Sequence, residues 1–211
     1  MTNVYERYVL PRLLDRAMQR KTDMAERARL VPRATGTVLE IGAGSGLNLP
    51  FYGAAVERLY AVDPSVEFWV MAKPRLAKVR FPVEFLPASA EQIPLRDSSV
   101  DTIVSTWTLC SVPDPDRALR EMRRVMRPSG IFIFVEHGRA PDHRVEAWQN
   151  WLNPIWTRIA GGCNLNRSVD RLIERAGFQI IEIERGYKGS PRPLTFTYKG
   201  LAESAGTHQR C

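Results

Sequence analysis

A turn with glycine at every second position follows a short apolar strand near the start of the chain. Glycines at 42, 44 and 46 let the backbone turn with positive φ, and they leave no Cβ to block a ligand lying across the turn. The G-x-G-x-x-G loop that cradles a pyrophosphate would need glycine where this chain has Leu47. Glu40, two residues before the first glycine, can bind a cationic group. The spacing therefore favours a nucleoside ligand with a positive charge over a nicotinamide dinucleotide.

A carboxylate ends the next strand candidate. Residues 59–62 are apolar or aromatic and lead into Asp63, about 17 residues after Gly46. Folds that bind dinucleotides place an acidic residue about 20 residues after their glycine loop, where it accepts hydrogen bonds from the ribose hydroxyls. We therefore predict that Asp63 holds a ribose, with Pro64 beside it in the same turn.

The acidic residue followed by alternating glycines resembles the cofactor loop of class I S-adenosylmethionine-dependent methyltransferases with a type 11 methyltransferase domain. Ala88–Leu95 resembles the segment that holds adenine in that family, although Ser89 stands where many members carry aspartate. Thr106–Leu109 follows a fourth strand candidate, where open α/β sheets bind ligands. The matches cover roughly residues 36–136. The resemblance implies S-adenosyl-L-methionine as cofactor, bound by Glu40, Gly42, Ala43, Gly44, Gly46, Asp63, Pro64, Ser89, Ala90, Glu91, Thr106 and Leu109.

Segments outside this scaffold resemble a narrower family. Leu109–Val112, Phe134–His137, Trp148–Trp156 and Gly162–Leu165 are similar to the small-thiol S-methyltransferase-like family. This implies methyl transfer to a small thiol or hydrosulfide by in-line displacement. Phospholipid amine N-methyltransferases and quinone C-methyltransferases have similar sequences and stay open as alternatives, as does a non-catalytic cofactor-binding protein. Animal members begin with a membrane-anchoring apolar segment that is missing here, so a soluble enzyme is expected.

His137 is the candidate catalytic residue. A thiol acceptor reacts as the thiolate, and a free thiol has a pKa near about 8.5, so a proton acceptor beside it would help. His137 follows the fifth strand candidate, where the site is expected to open, and histidine can accept a proton near neutral pH. The alternative is a structural histidine that only hydrogen-bonds a neighbouring loop.

Acceptor contacts are predicted for five residues: Tyr5, Trp148, Trp156, Asn164 and Arg167. The aromatic side chains could cover the pocket or pack in the core, and a surface position is the alternative for the arginine. Pro154 is expected to break the tryptophan-rich helix and so favour a cap over the pocket. Cys163 is expected to be a small buried residue, because this reaction needs no covalent enzyme intermediate.

Strand and helix candidates alternate along the chain, which predicts an α/β fold with a mainly parallel sheet and helices on both faces. Two short helices with a break are expected within 4–18, and Asp114 or Asp116 is expected to cap the basic helix at 114–127. The resemblance implies the Rossmann-like class I methyltransferase fold with seven strands, the last antiparallel. Periodicity places the strands at 38–41, 59–62, 83–86, 100–105, 131–136, 178–184 and 194–199, and the remaining helices near 65–78, 143–160 and 168–176.

The 211 residues are enough for one domain with a single substantial core, predicted over 1–204. Its predicted parts are an N-terminal helical lid at 1–33, a cofactor-binding core at 36–136, an acceptor-side lid at 137–167 and a C-terminal helix with strands at 168–204. Residues 205–211 are expected to form a disordered tail.

The resemblance implies a small-molecule acceptor as partner, and charge and composition do not indicate a nucleic acid or a membrane instead. The net charge is +7, but the densest arginine cluster lies on one face of the helix at 114–127, so a solvated face is predicted and no nucleic acid. No apolar run is long enough to span a bilayer and no secretory signal is visible, so a cytoplasmic location without stable membrane insertion is expected. Peripheral membrane contact and oligomeric state stay open. Cys110, Cys163 and Cys211 lack C-x-x-C spacing, so free thiols and no metal site are predicted.

Overall fold

Seven strands form one sheet in the computed structural model, which describes residues 5–205. The strands are β1 (Gly36–Ile41), β2 (Val56–Val62), β3 (Val83–Leu86), β4 (Val100–Thr106), β5 (Met126–His137), β6 (Phe178–Tyr187) and β7 (Phe196–Ser204). Their order is β3-β2-β1-β4-β5-β7-β6. The neighbours from β3 to β5 are parallel, whereas β7 is antiparallel to both β5 and β6. The predicted mainly parallel seven-stranded sheet with an antiparallel last strand is confirmed.

Alpha-helices precede β1 and lie in the connections from β2 to β3, from β4 to β5 and from β5 to β6. They are α1 (Leu10–Ala17), α2 (Lys21–Leu30), α3 (Val66–Leu76), α4 (Pro115–Val125), α5 (His143–Ile159) and α6 (Val169–Arg175). A π-helical segment, Tyr5–Val9, leads directly into α1. Short 3₁₀ segments lie at Val31–Arg33, Leu49–Phe51 and Arg192–Leu194. Asp114 caps α4, because its Oδ1 accepts a hydrogen bond from the N–H of Arg117 at 2.9 Å.

Both faces of the sheet are buried. Leu39 and Ile41 of β1 belong to one apolar cluster, which includes Met122 of α4. Val38 of the same strand belongs to a second cluster, together with Leu30 of α2. Because neighbouring side chains of a strand point to opposite faces, the two clusters lie on opposite sides of the sheet. This confirms the predicted helices on both faces.

The prediction that Pro154 breaks its helix was wrong. Helix α5 continues through Pro154 without interruption. A proline inside a helix removes one backbone hydrogen bond, but side chains in the turns before Pro154 hold this helix in place. Gln149 accepts from the N–H of Ala140 at 2.9 Å, and Asn153 accepts from the N–H of Leu165 at 2.8 Å.

Other element boundaries differ from the sequence expectation by a few residues. The helices expected within 4–18 correspond to Tyr5–Val9 and α1, which adjoin without a gap, while position 4 lies outside the described residues. The last strand begins at Phe196 rather than 194, because the 3₁₀ turn Arg192–Leu194 precedes it. The domain division stays a prediction, and positions 206–211 of the expected tail lie outside the described residues.

Candidate active site

A cavity of about 640 Å³ opens at the carboxyl ends of β1, β2, β4 and β5. Glu40 and Thr106 reach it from β1 and β4, and His137 reaches it from β5. Apolar side chains of α1, including Leu10 and Leu14, form another part of its wall, and residues within 188–195 close a further side. The carboxyl edge of a parallel sheet is where open α/β folds bind ligands.

The glycine turn forms part of this wall. Gly42, Gly44 and Gly46 have φ angles of +65°, +53° and +75°, a region in which side chains with a Cβ are strained. A Cβ on Gly44 would meet only a carbonyl oxygen at 3.8 Å, whereas Cβ atoms on Gly42 and Gly46 would collide with packed side chains. Gly42, Ala43 and Gly44 line the cavity, while Gly46 lies behind the wall and supports the turn.

Asp63 ties the glycine turn to the end of β2. Its Oδ2 accepts a hydrogen bond from the N–H of Gly44 at 2.9 Å, and its Oδ1 accepts one from the N–H of Ser65 at 2.8 Å. Burial raises the pKa of Asp63 from its usual value. Each carboxylate oxygen has a second acceptor position, so the side chain can hold the turn and still bind two ligand hydroxyls.

Glu40 is buried at the end of β1, with two neutral hydrogen-bond donors. Asn48 Nδ2 donates to Oε1 and the hydroxyl of Tyr52 donates to Oε2, both at 2.9 Å. Burial nevertheless dominates and raises the pKa of Glu40 to about 7. The carboxyl group is therefore half-ionised near neutral pH, and a cationic ligand would favour its charged form.

Arg27 of α2 lies beside Glu40, and no local sequence pattern indicated it. Its Nη1 donates to Asn48 Oδ1 at 2.6 Å and to Thr106 Oγ1 at 2.8 Å. Its guanidinium carbon lies 4.6 Å from the ring centroid of Trp107. Burial lowers the pKa of Arg27 to about 10, so it stays protonated at neutral pH. A carboxylate and a guanidinium at one place suit a ligand that carries both an ammonium and a carboxylate.

Most of the remaining predicted cofactor residues line the cavity. Pro64, Ser89, Ala90 and Thr106 all do so. Glu91 and Leu109 do not line it. Glu91 points towards α4, where its Oε1 accepts from the N–H of Asp114 at 2.7 Å, and Leu109 is fully buried in the core. Phe68 of α3 lines the cavity and was not predicted.

A second part of the wall, which we call the histidine wall, consists of Cys110, His137, Trp156 and Cys163. The Sγ atoms of the two cysteines lie 3.4 Å apart, and His137 Nδ1 lies 3.8 Å from Cys163 Sγ. The contact between the thiols raises the pKa of Cys110 well above its usual range and lowers that of Cys163. Both cysteines are buried, as expected for Cys163, and both are free thiols.

Two partly buried charged residues, Lys188 and Asp23, lie close to the histidine wall. Lys188 Nζ lies 5.0 Å from the ring centroid of Trp107, and a carboxylate oxygen of Glu26 lies 3.6 Å from the same Nζ. Burial lowers the pKa of Lys188 and raises that of Asp23, which also lines the cavity. The ring of Trp107 approaches His137 with its centroid 6.4 Å from the imidazole centroid. Lys188 and Asp23 therefore place charges of opposite sign near His137.

Of the predicted acceptor residues, Tyr5 and Trp156 line the cavity. The hydroxyl of Tyr5 donates to the carbonyl of Ile159 at 3.4 Å, which holds the N-terminal segment against α5. Trp148 lies outside the cavity wall, 55% exposed, with its ring edge-on to Trp151. Eight residues separate it from Trp156, a rotation of about 80° around the helix axis, so the two indoles occupy different faces.

Asn164 and Arg167 also lie outside the cavity wall. Asn164 Nδ2 donates to the carbonyl of Cys110 at 3.1 Å, and Arg167 Nη1 donates to the carbonyls of Leu109 and Val112 at 2.5 and 2.7 Å. Their donors are directed at the segment after β4 rather than into the cavity. Both residues therefore support the histidine wall from the side that faces away from the cavity.

Comparison with known proteins identifies the family. Residues 39–134 match the methyltransferase domain family Methyltransf_11. The thiol S-methyltransferase TMT1B of Homo sapiens is 34% identical over 181 residues, which cover 83% of this chain and 72% of that protein. The chain belongs to the class I S-adenosylmethionine-dependent methyltransferases, in the family of these TMT1 proteins. TMT1B of Rattus norvegicus is 36% identical over 152 residues, and the match spans 70% of this methyltransferase but only 62% of the rat protein.

Solved structures of methyltransferases share the fold. An S-adenosylmethionine-dependent methyltransferase of Thermotoga maritima aligns with a TM-score of 0.66 and 20% identity over 96% of this chain and 98% of that one. A second, from Aquifex aeolicus, aligns with a TM-score of 0.61 and 20% identity over 92% and 98% of the two chains. Among residues 5–205 of this methyltransferase, the structure contains no helix with the length and apolarity needed to cross a membrane.

The cavity fits the cofactor of this family. The open face of Gly44 leaves room for a nucleoside, and the spare acceptor positions of Asp63 suit its ribose hydroxyls. The Glu40 carboxyl and the Arg27 guanidinium suit the ammonium and carboxylate of the methionine end. These residues would hold S-adenosylmethionine, and Arg27 adds a contact that sequence patterns did not indicate.

Cofactor affinity should rise with pH near neutrality, because a protonated Glu40 cannot pair with an ammonium group. With a pKa of about 7, its ionised fraction increases roughly eightfold from pH 6 to pH 7.5, and the dissociation constant should fall by the same factor. Calorimetry with S-adenosylmethionine at both pH values measures this. Glu40→Gln is the control, because glutamine does not ionise. This variant should bind the cofactor more weakly, and its affinity should lack the pH dependence that comes from Glu40. Equal pH dependence in the two proteins would contradict the assignment.

Asp63→Ala should weaken the binding of S-adenosylmethionine by about 1.5–3 kcal/mol, the range for hydrogen bonds to a charged group. S-adenosylhomocysteine should lose as much, because it carries the same ribose. Asp63 also holds the glycine turn, so the variant should be crossed with an analogue of S-adenosylhomocysteine that lacks both ribose hydroxyls. If removing the hydroxyls costs the same affinity in both proteins, Asp63 supports only the turn.

Proposed function

We propose that this methyltransferase transfers a methyl group from S-adenosylmethionine to a small thiol or hydrosulfide. The observation that carries the proposal is the position of His137, which contacts Cys163 on one side and neighbours Trp107, the ring that Arg27 and Lys188 both contact. The names of the TMT1 relatives support the same acceptor class.

The charge around His137 favours an acceptor that becomes an anion. Arg27 and Lys188 both contact the ring of Trp107, which neighbours His137. Carboxyl groups also face these cations: Glu40 and Asp23 face Arg27, and Glu26 and Asp23 face Lys188. In this proposal the two cations at Trp107 stabilise a thiolate and oppose a protonated amine. The apolar side chains of α1 and Trp156 cover this region and limit its access to water.

His137 is the proton acceptor in this proposal. As the acceptor thiol binds at the histidine wall, its proton passes to an imidazole nitrogen and its sulfur keeps the electron pair. S-adenosylmethionine supplies an electrophilic methyl group on a sulfonium, which a correctly aligned thiolate can accept without a covalent enzyme intermediate. Trp107 and Trp156 orient the acceptor, and His137 later releases its proton to solvent.

A panel of acceptors tests the substrate class. Hydrosulfide, an alkyl thiol, an aryl thiol, phosphatidylethanolamine and a quinone precursor are each incubated with the protein and S-adenosylmethionine, and release of S-adenosylhomocysteine is measured. We expect turnover of the thiols. Turnover of the phospholipid or the quinone precursor with inert thiols would overturn the proposed acceptor and leave the family assignment intact.

His137→Asn should lower turnover of an alkyl thiol by about 10²-fold, the lower end for a positioned acid or base, with cofactor affinity unchanged. The loss should shrink for aryl thiols of lower pKa, since these ionise without help. His143→Asn is the matched control, because His143 is 98% exposed and lies on the outer end of α5. An equal loss for every thiol would instead identify His137 as a structural residue.

A further inference from the structure

Three metal-binding side chains meet at the histidine wall. The Sγ atoms of Cys110 and Cys163 and a ring nitrogen of His137 all lie within 4.8 Å of one another. The two sulfurs are 3.4 Å apart, and Cys163 Sγ is 3.8 Å from His137 Nδ1. The transfer chemistry proposed above uses the histidine and leaves both thiols without a role.

These separations match those of a tetrahedral zinc site. With Zn–S bonds of about 2.3 Å and Zn–N bonds of about 2.0–2.1 Å, tetrahedral angles place two sulfurs about 3.8 Å apart and a sulfur and a nitrogen about 3.5 Å apart. The observed Sγ–Sγ distance and the distance from Cys163 Sγ to His137 Nδ1 differ from these by a few tenths of an ångström, and the third pair, Cys110 Sγ and a His137 ring nitrogen, lies within 4.8 Å. Small rotations of side chains would therefore bring all three ligands to one ion.

The backbone already holds the ligands together. The N–H of Asn164, next to Cys163, donates to the carbonyl of Cys110 at 2.8 Å. Glu136, next to His137, accepts from the N–H of Cys110 through Oε2 at 3.3 Å. A preformed set of ligands with fixed supports lowers the ordering cost of metal binding.

We propose that Cys110, Cys163 and His137 form a Zn²⁺ site whose fourth position opens to the cavity, and that bound Zn²⁺ blocks thiol methylation. Three protein ligands with an open position are typical of Cys₂His zinc sites that exchange a ligand. On binding, both cysteines lose their protons to solvent, and the two thiolates neutralise the ion. The Zn²⁺ ion then occupies the space where the acceptor thiol would bind. It also coordinates the His137 imidazole, which could then no longer accept the proton of the thiol. Only the blocking role rests on the proposed function.

Cobalt(II) titration tests the site without reference to activity. The protein is reduced with a phosphine, kept free of oxygen and titrated with Co²⁺, and the sulfur-to-cobalt charge-transfer band is followed. We expect saturation at one ion per chain and displacement of the band by Zn²⁺. Absence of the band would overturn the site.

Variants locate the ligands. Cys163→Ser, Cys110→Ser and His137→Asn should each weaken Zn²⁺ binding at least tenfold, which corresponds to about 1.4 kcal/mol. Cys211→Ser is the matched control, because it removes the remaining cysteine of the chain and should bind normally. Unchanged affinity in Cys163→Ser would overturn the assignment.

Cys110 is fully buried, so its variant could lose affinity through misfolding. Protection of the wild-type thiols provides a test that needs no substitution. Stoichiometric Zn²⁺ should slow alkylation of Cys110 and Cys163 in the native protein, as mapped by peptide mass. Equal alkylation rates with and without Zn²⁺ would contradict the site.

The blocking role is measured separately. Zn²⁺ at saturating concentration should abolish thiol methylation, and a chelator should restore it. Full activity of the zinc-loaded protein, or a higher rate, would overturn the blocking role. If thiols are inert even without metal, the proposed function fails, while the cobalt band and the alkylation pattern still decide whether the site exists.

Discussion

The buried carboxylate of Glu136 connects the two parts of the cavity. It accepts hydrogen bonds from Ser105 Oγ at 2.7 Å and from the N–H groups of Thr108 and Cys110 at 3.1 and 3.3 Å. The bonds hold the segment after β4 against the end of β5. Thr108 then lies where a Cβ on Gly42 would be, while Cys110 contacts Cys163 in the histidine wall. Because a buried carboxylate is expensive without partners, this segment has little freedom to move.

Buried charge in the cavity is retained at a cost to stability. Glu40, Arg27, Asp23 and Lys188 all have pKa values moved towards the neutral form by burial. Replacing buried ion pairs with apolar residues is often neutral or stabilising, so such groups point to a functional site when they line a cavity. Here Glu40 and Arg27 suit a zwitterion, and Arg27 together with Lys188 places positive charge at the ring of Trp107 beside His137.

Local motifs predicted the cofactor side far better than the acceptor side. The glycine turn and Asp63 belong to one strand-turn-strand unit, so their spacing in sequence already determines their spacing in space. Arg27 and Lys188 come from opposite ends of the chain and meet only because the sheet brings both over Trp107. No sequence pattern could show that contact. Trp148 was misplaced for a different reason, since its position depends on the rotation of α5 and on which face packs.

The strand order explains why the acceptor side is assembled from distant segments. From β1 the chain builds the sheet outwards through β2 and β3, then returns to place β4 on the other side of β1. A crevice forms at the carboxyl ends of strands where the order reverses in this way. The turn after β4 carries Cys110 to this crevice, the end of β5 carries His137 there, and the turn after α5 brings Cys163 back to them. The cluster therefore follows from topology, and three residues separated by more than twenty positions each show no ligand spacing in the sequence.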